Sequence, residues 1–240
     1  MQALIKVIRP FVSNHLVGPI AYKIFSVGRW LLQRSYPHWH SRRWSNLKLR
    51  QVAHFFQGDI INVSGWDDRD KEGGRYSDYF PRKASYTISN IHGSRGWSGS
   101  SNEVFIDLAT KLPDEFRQKF NVVFNHTTIE HVYDIHAAVR NLCDLSSDIV
   151  IFIVPFKQDV HYDEGSYLDF WRPTHFALEK MFSKNGFEIV SLSDNENPVY
   201  NVYYFCVASR HPERWKNRFN QVNAPLRNTL NAYKATRPTA

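Results

Sequence analysis

Short apolar segments separated by polar loops dominate the chain from about residue 58 onward. Seven of these segments have the length and the content of β-branched and aromatic residues that are typical of β-strands. The predicted strands cover residues 59–63, 85–90, 103–107, 120–125, 148–155, 187–192 and 202–208. The fifth is almost wholly apolar, which indicates a central parallel strand covered on both faces.

Two segments with helical periodicity lie between these strands, at residues 129–145 and 173–185. The second ends at Gly186, a residue type that commonly follows helix C-termini. Strands that alternate with helices indicate an α/β protein with a doubly wound, mostly parallel seven-stranded sheet, whose ligands bind at the strand carboxyl ends. Because no helix separates the last two predicted strands, we expect the final strand to run antiparallel.

The segment before the predicted sheet has a different pattern. Apolar residues recur every three to four positions between Leu16 and Leu31, with polar and basic residues between them, which predicts an amphipathic helix. Such a stripe can pack on the domain or lie in a membrane interface. We therefore divide the chain into a basic helical N-terminal extension (1–57), an α/β domain (58–209) and a basic polar tail (210–240).

Charge distinguishes the same three regions. Residues 1–58 contain nine basic side chains and no acid, and residues 210–240 have a net charge of +6. The formal net charge of +7 for the whole chain leaves −8 for residues 59–209. Basic extensions around an acidic core favour contact with a polyanion or, for residues 1–50, with an anionic membrane surface. They disfavour a nucleic-acid enzyme, whose cleft needs a positive face.

The two cysteines, Cys143 and Cys206, fall in apolar stretches of a predicted helix and a predicted strand. Two buried thiols in a reducing compartment are therefore expected, and no disulfide. We see neither a cleavable leader nor an apolar run of about 20 residues. The expected location is cytoplasmic, with peripheral contact at the inner face of the cytoplasmic membrane.

Three strings that contain or follow predicted strands resemble class I S-adenosylmethionine-dependent methyltransferases. They are FNVVFNHTTIEHVYD at 120–134, YLDFWRPT at 167–174 and KMFSKNGFEIV at 180–190. More narrowly, residues 62–80 resemble methyltransferase-like proteins encoded among bacterial surface-polysaccharide genes. The resemblance covers residues 58–209 and implies a Rossmann-like class I methyltransferase fold with S-adenosyl-L-methionine as cofactor.

The loop after the first strand departs from this family's pattern. The usual sequence is D-x-G-x-G, whereas residues 62–66 read NVSGW, so an indole stands where bare backbone is expected. After the second strand, Asn90 replaces the acid that holds the ribose hydroxyls, which weakens that contact by about 1 kcal/mol. The resemblance implies these cofactor-binding residues: Asn62, Ser64, Gly65, Trp66, Asn90, Asp107, Leu108 and Asn125.

Candidates for acid–base catalysis follow the fourth and fifth strands. We predict His126 or His161 as the general base that removes a proton from a hydroxyl acceptor, with Glu130 orienting it and His131 on the same turn. Alternatively, Glu130 and His131 cap a helix N-terminus. The spacing of these four residues matches no known metal-ligand motif, so no metal site is predicted.

Trp171 and Arg172 are expected either to stack on and clamp a sugar or phosphate, or to form a packed loop.

The predicted function is O-methylation of a sugar in a cell-surface polysaccharide or in its lipid-linked precursor. Because of Trp66 and Asn90, the alternative is a catalytically inactive scaffold that binds a glycan or a partner protein.

Overall fold

A computed structural model describes residues 19–20, 22–24, 26–28, 40–91, 98–195 and 202–219. Its centre is a seven-stranded sheet in the order β3-β2-β1-β4-β5-β7-β6. The strands are β1 (Gly58–Val63), β2 (Lys83–Asn90), β3 (Glu103–Phe105), β4 (Phe120–His126), β5 (Ser146–Lys157), β6 (Glu188–Asp194) and β7 (Val202–Ser209). Strands β1 to β5 pair in parallel, and β7 pairs antiparallel with β5 and β6. This arrangement confirms the predicted α/β sheet with its antiparallel last strand, the order of the class I methyltransferase fold.

Within the described ranges from residue 40 to 219, three α-helices flank the sheet: α1 (Ser41–Val52), α2 (Ile135–Leu145) and α3 (His175–Lys184). The side chain of Asp134 accepts a hydrogen bond from the backbone N–H of Ala137 and so fixes the start of α2. The predicted helix was longer because it included residues 129–131, which form a separate 3₁₀ turn. The carbonyl of Glu130 accepts from the backbone N–H of Phe170 at 2.8 Å, which ties this turn to the loop after β5.

The two faces of the sheet bury separate apolar clusters. Helices α2 and α3 cover one face of the sheet, where Leu142 of α2 and Val123 of β4 belong to the same buried cluster. Helix α1 covers the other face, together with Phe56 and with Phe219 from the C-terminal side of β7. The core thus extends beyond the predicted domain limits of 58 and 209, to about residue 40 at one end and Phe219 at the other.

The predicted alternation of strands and helices holds only from β4 onward among the described residues. The β1–β2 connection contains a 3₁₀ turn, Tyr76–Tyr79, and no α-helix. Buried Asp68 organises this connection, because its carboxylate accepts from the amide of Asn62 at 2.8 Å, the hydroxyl of Tyr86 at 2.7 Å and the backbone N–H of Ser77 at 2.9 Å. Side-chain bonds therefore replace helical packing in this half of the fold.

The described part of the N-terminal extension before residue 40 is helical and carries exposed Ile20, Ile24 and Val27. The rest of the predicted amphipathic segment lies outside the described residues. No helix in the described ranges is both long and apolar enough to cross a membrane. Cys143 and Cys206 are buried free thiols, as predicted.

Candidate functional site

A cavity of about 790 Å³ opens at the carboxyl ends of the parallel strands. Its volume falls in the range of about 300–1,000 Å³ that is typical of small-molecule sites. It lies where the strand order reverses around β1, the usual ligand position in an open α/β sheet. One wall contains Ser64, Trp66, Asn90, Asp107 and Leu108, and the opposite wall contains Thr128, His131, Gln158, His161 and Tyr167.

The loop after β1 keeps a glycine-like backbone without the glycines. Ser64 and Trp66 occupy the two glycine positions of the family pattern and have positive φ angles of 57° and 51°. This left-handed conformation costs a non-glycine residue about 1–2 kcal/mol. The half-exposed indole of Trp66 lines the cavity and leaves its volume open.

Asn90 holds this loop in place. Its side-chain oxygen accepts from the backbone N–H of Trp66 at 2.9 Å, and its amide donates to the Trp66 carbonyl at 3.0 Å and to Glu103 at 2.7 Å. Burial alone would raise the pKa of Glu103, but hydrogen bonds from Asn90, Ser98 and Gly99 lower it to about 2. The amide suits this position because it bonds the loop carbonyl and the neighbouring carboxylate at once.

Three predicted cofactor residues do not line the cavity. Asn62 is buried and donates to Asp68, and the amide of Asn125 donates to the carbonyl of Val63 at 3.0 Å. Gly65 packs against Asn62 so closely that an added Cβ would lie 2.6 Å from its amide nitrogen. These three residues support the loop outside the cavity lining, whereas Asp107 and Leu108, for which cofactor contact is predicted, line the cavity.

His126 is also absent from the cavity lining, in contrast to its predicted role as base. Its ring nitrogens lie 2.8 Å from a guanidinium nitrogen of Arg42 and 2.8 Å from the hydroxyl of Ser45. Burial, and then the charge of Arg42, lower the pKa of His126 well below its ordinary value. The imidazole is therefore neutral and joins β4 to α1, while Arg42 itself reaches the cavity and donates to Thr127 at 2.9 Å.

Arg172 does not offer a clamp for a substrate. Its guanidinium forms two hydrogen bonds with the carboxylate of Asp169, at 2.6 and 2.5 Å, and its other donors bond the carbonyls of Gln158, Asp159 and Trp171. The Trp171 indole N–H likewise donates to backbone carbonyls. Arg172 therefore stabilises a packed loop, which is the alternative stated for residues 171–172 in the sequence-based prediction.

Glu130, His131 and His161 come together where the β4 and β5 loops meet. Glu130 is fully buried, and burial raises its pKa to about 8. His131 Nε2 lies 3.8 Å from Glu130 Oε1, and the two imidazole centroids are 4.9 Å apart. Burial also lowers the pKa of His131, so this imidazole is neutral at physiological pH. A carboxyl group and two imidazoles thus share one corner of the cavity.

Arg42, Gln158 and Tyr203 also line the cavity, although no sequence pattern singled them out. Arg42 belongs to the segment assigned to the N-terminal extension, outside the predicted α/β domain. Gln158 directly follows the apolar strand β5, at the strand end that borders the cavity. Tyr203 lies on the antiparallel strand, whose placement beside β5 brings it to the site.

No family model and no curated protein matches the chain. Solved structures with a similar fold include the 1,6-didemethyltoxoflavin-N1-methyltransferase of Burkholderia thailandensis with bound S-adenosylhomocysteine, at 12% identity and a TM-score of 0.49, covering 82% of this chain and 90% of that one. An S-adenosylmethionine-dependent methyltransferase of Clostridium acetobutylicum matches at 10% identity and a TM-score of 0.48, covering 79% and 98%. The magnesium protoporphyrin IX methyltransferase of Synechocystis with bound S-adenosylhomocysteine matches at 12% and 0.43, covering 71% and 86%. The strand order β3-β2-β1-β4-β5-β7-β6 defines the fold independently of these similarities.

Proposed function

We propose that the chain is an S-adenosylmethionine-dependent O-methyltransferase that acts on a sugar hydroxyl of a surface polysaccharide or of its lipid-linked precursor. The observation that carries this proposal is the open cavity at the strand ends, with the cofactor-loop residues on one wall and two histidines on the other. A pocket of this form can hold a cofactor and an acceptor side by side.

The cofactor wall fits an adenosyl group by shape and backbone conformation. Positive φ angles at Ser64 and Trp66 allow the loop backbone to approach a ligand as glycines would. Asp107 and Leu108 stand where the family resemblance implies contact with adenine. The amide of Asn90 stands where the family has a carboxylate, so the contact with the ribose depends on hydrogen bonds from a neutral group.

The acceptor wall supplies a proton acceptor. S-adenosylmethionine would supply an electrophilic methyl group on a sulfonium and leave as the thioether. The Nδ1 of His131 lies 2.8 Å from the carbonyl of Leu168, which can only accept, so its Nε2 carries the lone pair. This Nε2, or that of His161, takes the hydroxyl proton while the acceptor oxygen forms the bond to the methyl carbon.

The carbohydrate acceptor is inferred from aromatic surface at the cavity. Trp66, Tyr167 and Phe170 line it, and Trp66 and Phe170 are exposed. Flat aromatic faces combined with hydrogen-bonding groups such as Gln158 suit a ring with one apolar face and several hydroxyls. The resemblance of residues 62–80 to proteins of polysaccharide gene clusters points to the same acceptor class.

A contact with the cytoplasmic face of an anionic membrane completes the proposal. Ile20, Ile24 and Val27 form an exposed stripe at helical spacing, with basic Lys23 beside it. We expect the full chain to sediment with anionic vesicles and not with neutral ones. Ile24→Glu should abolish this binding, whereas Phe176→Glu, an equally exposed apolar position on α3, should leave it intact. Equal loss in both variants would contradict a role for the stripe.

Calorimetric titration with S-adenosylmethionine tests the reaction class. We expect saturable binding with a Kd well below about 1 mM, and transfer of labelled methyl to a saccharide acceptor in a base-stable ether linkage. Label released by mild base would indicate an ester and exclude a sugar hydroxyl. No binding at about 1 mM cofactor would favour the inactive scaffold, the alternative motivated by Trp66 and Asn90.

A further inference from the structure

We propose that Glu130, His131 and His161 form a binding site for a divalent transition-metal ion of the zinc type, on the acceptor side of the cavity. One ligand atom from each residue lies within 4.8 Å of the other two. These residues form no ligand motif along the chain because Glu130 and His131 come from the turn after β4 and His161 from the loop after β5. The sheet brings these two segments together.

The first support is the state of Glu130. It is fully buried, and neither carboxylate oxygen has a hydrogen-bond partner among the described residues. Buried polar groups are almost always satisfied, and a buried carboxylate without a partner is costly. A cation between Glu130 and the two imidazoles would satisfy both oxygens at the place where the fold holds them.

The second support is the orientation of the His131 imidazole. Its Nδ1 lies 2.8 Å from the carbonyl of Leu168, to which it donates. Metal-binding histidines commonly donate their second ring N–H to a carbonyl or carboxylate, which leaves the other nitrogen for the ion. The Nδ1 of His161 lies 3.1 Å from a carboxylate oxygen of Asp169 in a geometry that forms no hydrogen bond, and Asp169 is itself bound by Arg172.

The geometry allows a compact site. Tetrahedral ligands at zinc distances of about 2.0–2.2 Å lie about 3.3 Å apart. The largest separation here, at most 4.8 Å, therefore requires a contraction of about 1.5 Å, which side-chain rotation can supply. Two imidazoles and one carboxylate suit zinc or another transition metal, whereas magnesium and calcium prefer oxygen ligands only.

Three protein ligands would leave one coordination position, and both histidines face the cavity. With the ion bound, His131 and His161 would be ligands in place of the base, and a hydroxyl bound at the fourth position would lose its proton to solvent more readily, since the ion lowers its pKa. The acceptor oxygen would then form the bond to the methyl carbon as the carbon–sulfur bond breaks. This role rests on the proposed function, but ion binding does not.

Metal titration of the chelator-treated full chain tests the site, with Zn²⁺ in calorimetry and Co²⁺ in visible absorption. We expect one ion per chain, and a loss of affinity of at least about 100-fold in His131→Ala and His161→Ala. His136→Ala is the matched control, because this histidine is exposed on α2 and lies outside the cluster. Absence of saturable binding, or equal effects of all three substitutions, would overturn the proposal.

Glu130→Gln gives a second readout that does not depend on the histidine variants folding well. Zinc should raise the melting temperature of the unaltered chain and leave that of Glu130→Gln unchanged. The same rise in both would overturn the role of Glu130. A parallel titration with S-adenosylmethionine separates the two proposals: cofactor binding without metal binding overturns only the metal site, and the reverse overturns only the methyltransferase.

Discussion

Replacing His126 by Gln tests whether this residue joins α1 to the sheet, as its contacts with Arg42 and Ser45 indicate. The folded chain keeps the imidazole neutral because burial lowers its pKa well below 6.5. In the unfolded chain the pKa returns to about 6.5. Stability from the neutral imidazole is therefore present above pH 6.5 and is lost as the pH falls below it.

The size of this change in unfolding free energy follows from the pKa of the imidazole in the unfolded chain. At pH 5 an unfolded imidazole is almost fully protonated, which favours unfolding by about 2 kcal/mol, whereas at pH 7.5 the same contribution is about 0.1 kcal/mol. Gln cannot titrate. The difference in unfolding free energy between the original chain and His126→Gln should thus change by about 2 kcal/mol between these two pH values.

Urea denaturation at pH 5.0 and 7.5 measures this difference, with the exposed His136→Gln as control. At pH 7.5 we expect His126→Gln to be the less stable chain, because it disturbs a buried hydrogen-bonded network. The deficit should shrink by about 2 kcal/mol at pH 5. A deficit that is the same at both pH values would refute a neutral buried imidazole. Complete loss of cofactor binding with unchanged stability would point back to a site role.

Three further substitutions test the loop and the cluster. Asn90→Asp restores the acid of the family pattern, yet we expect a loss of about 1–3 kcal/mol because it sets a second carboxylate beside Glu103; urea curves should show this at pH 7 and less at pH 3. Gly65→Ala should cost about 1–3 kcal/mol and weaken cofactor binding in calorimetry, since its Cβ would clash with Asn62. In chelator-treated protein, Glu130→Gln should be more stable by about 3–4 kcal/mol at pH 7, and by about 1 kcal/mol at pH 5, in the same denaturation assay.

The direction of the stability change in Glu130→Gln follows from the raised pKa of Glu130, about 8. Between about pH 4 and pH 8 the folded chain keeps a proton that the unfolded chain releases, so stability falls as the pH rises. Glu130→Gln that is less stable at both pH values would contradict this. An Asn90→Asp chain as stable as the original, or a Gly65→Ala chain with unchanged cofactor affinity, would refute the described packing of the loop.

The strands were predictable because their apolar runs are short and bounded by polar turns. The runs are apolar because the sheet buries both of its faces. The antiparallel last strand was predictable because the sequence shows no helical pattern between the last two predicted strands. The β1–β2 connection was not predictable as a helix-free loop, since its organisation depends on Asp68 receiving bonds from distant Asn62 and Tyr86. Long-range side-chain bonds of this kind leave no periodic signal.

The position of the cavity at the strand ends was predictable, whereas the residues that line it were predictable only in part. Positions after β2, β3, β4 and β5 were correctly expected near the strand ends. His126 and Glu130, four residues apart, differ in their surroundings because Arg42 and Ser45 of α1 engage the first and the loop after β5 covers the second. Neither contact follows from local sequence, and both depend on which segment packs against the end of β4.

A structure of the chain with S-adenosylhomocysteine tests the central claim most directly. We expect the adenosyl group in the cavity between Trp66 and Leu108, with the homocysteine sulfur facing His131 and His161. A ligand bound elsewhere, or an indole of Trp66 that fills the cavity and excludes the ligand, would contradict it.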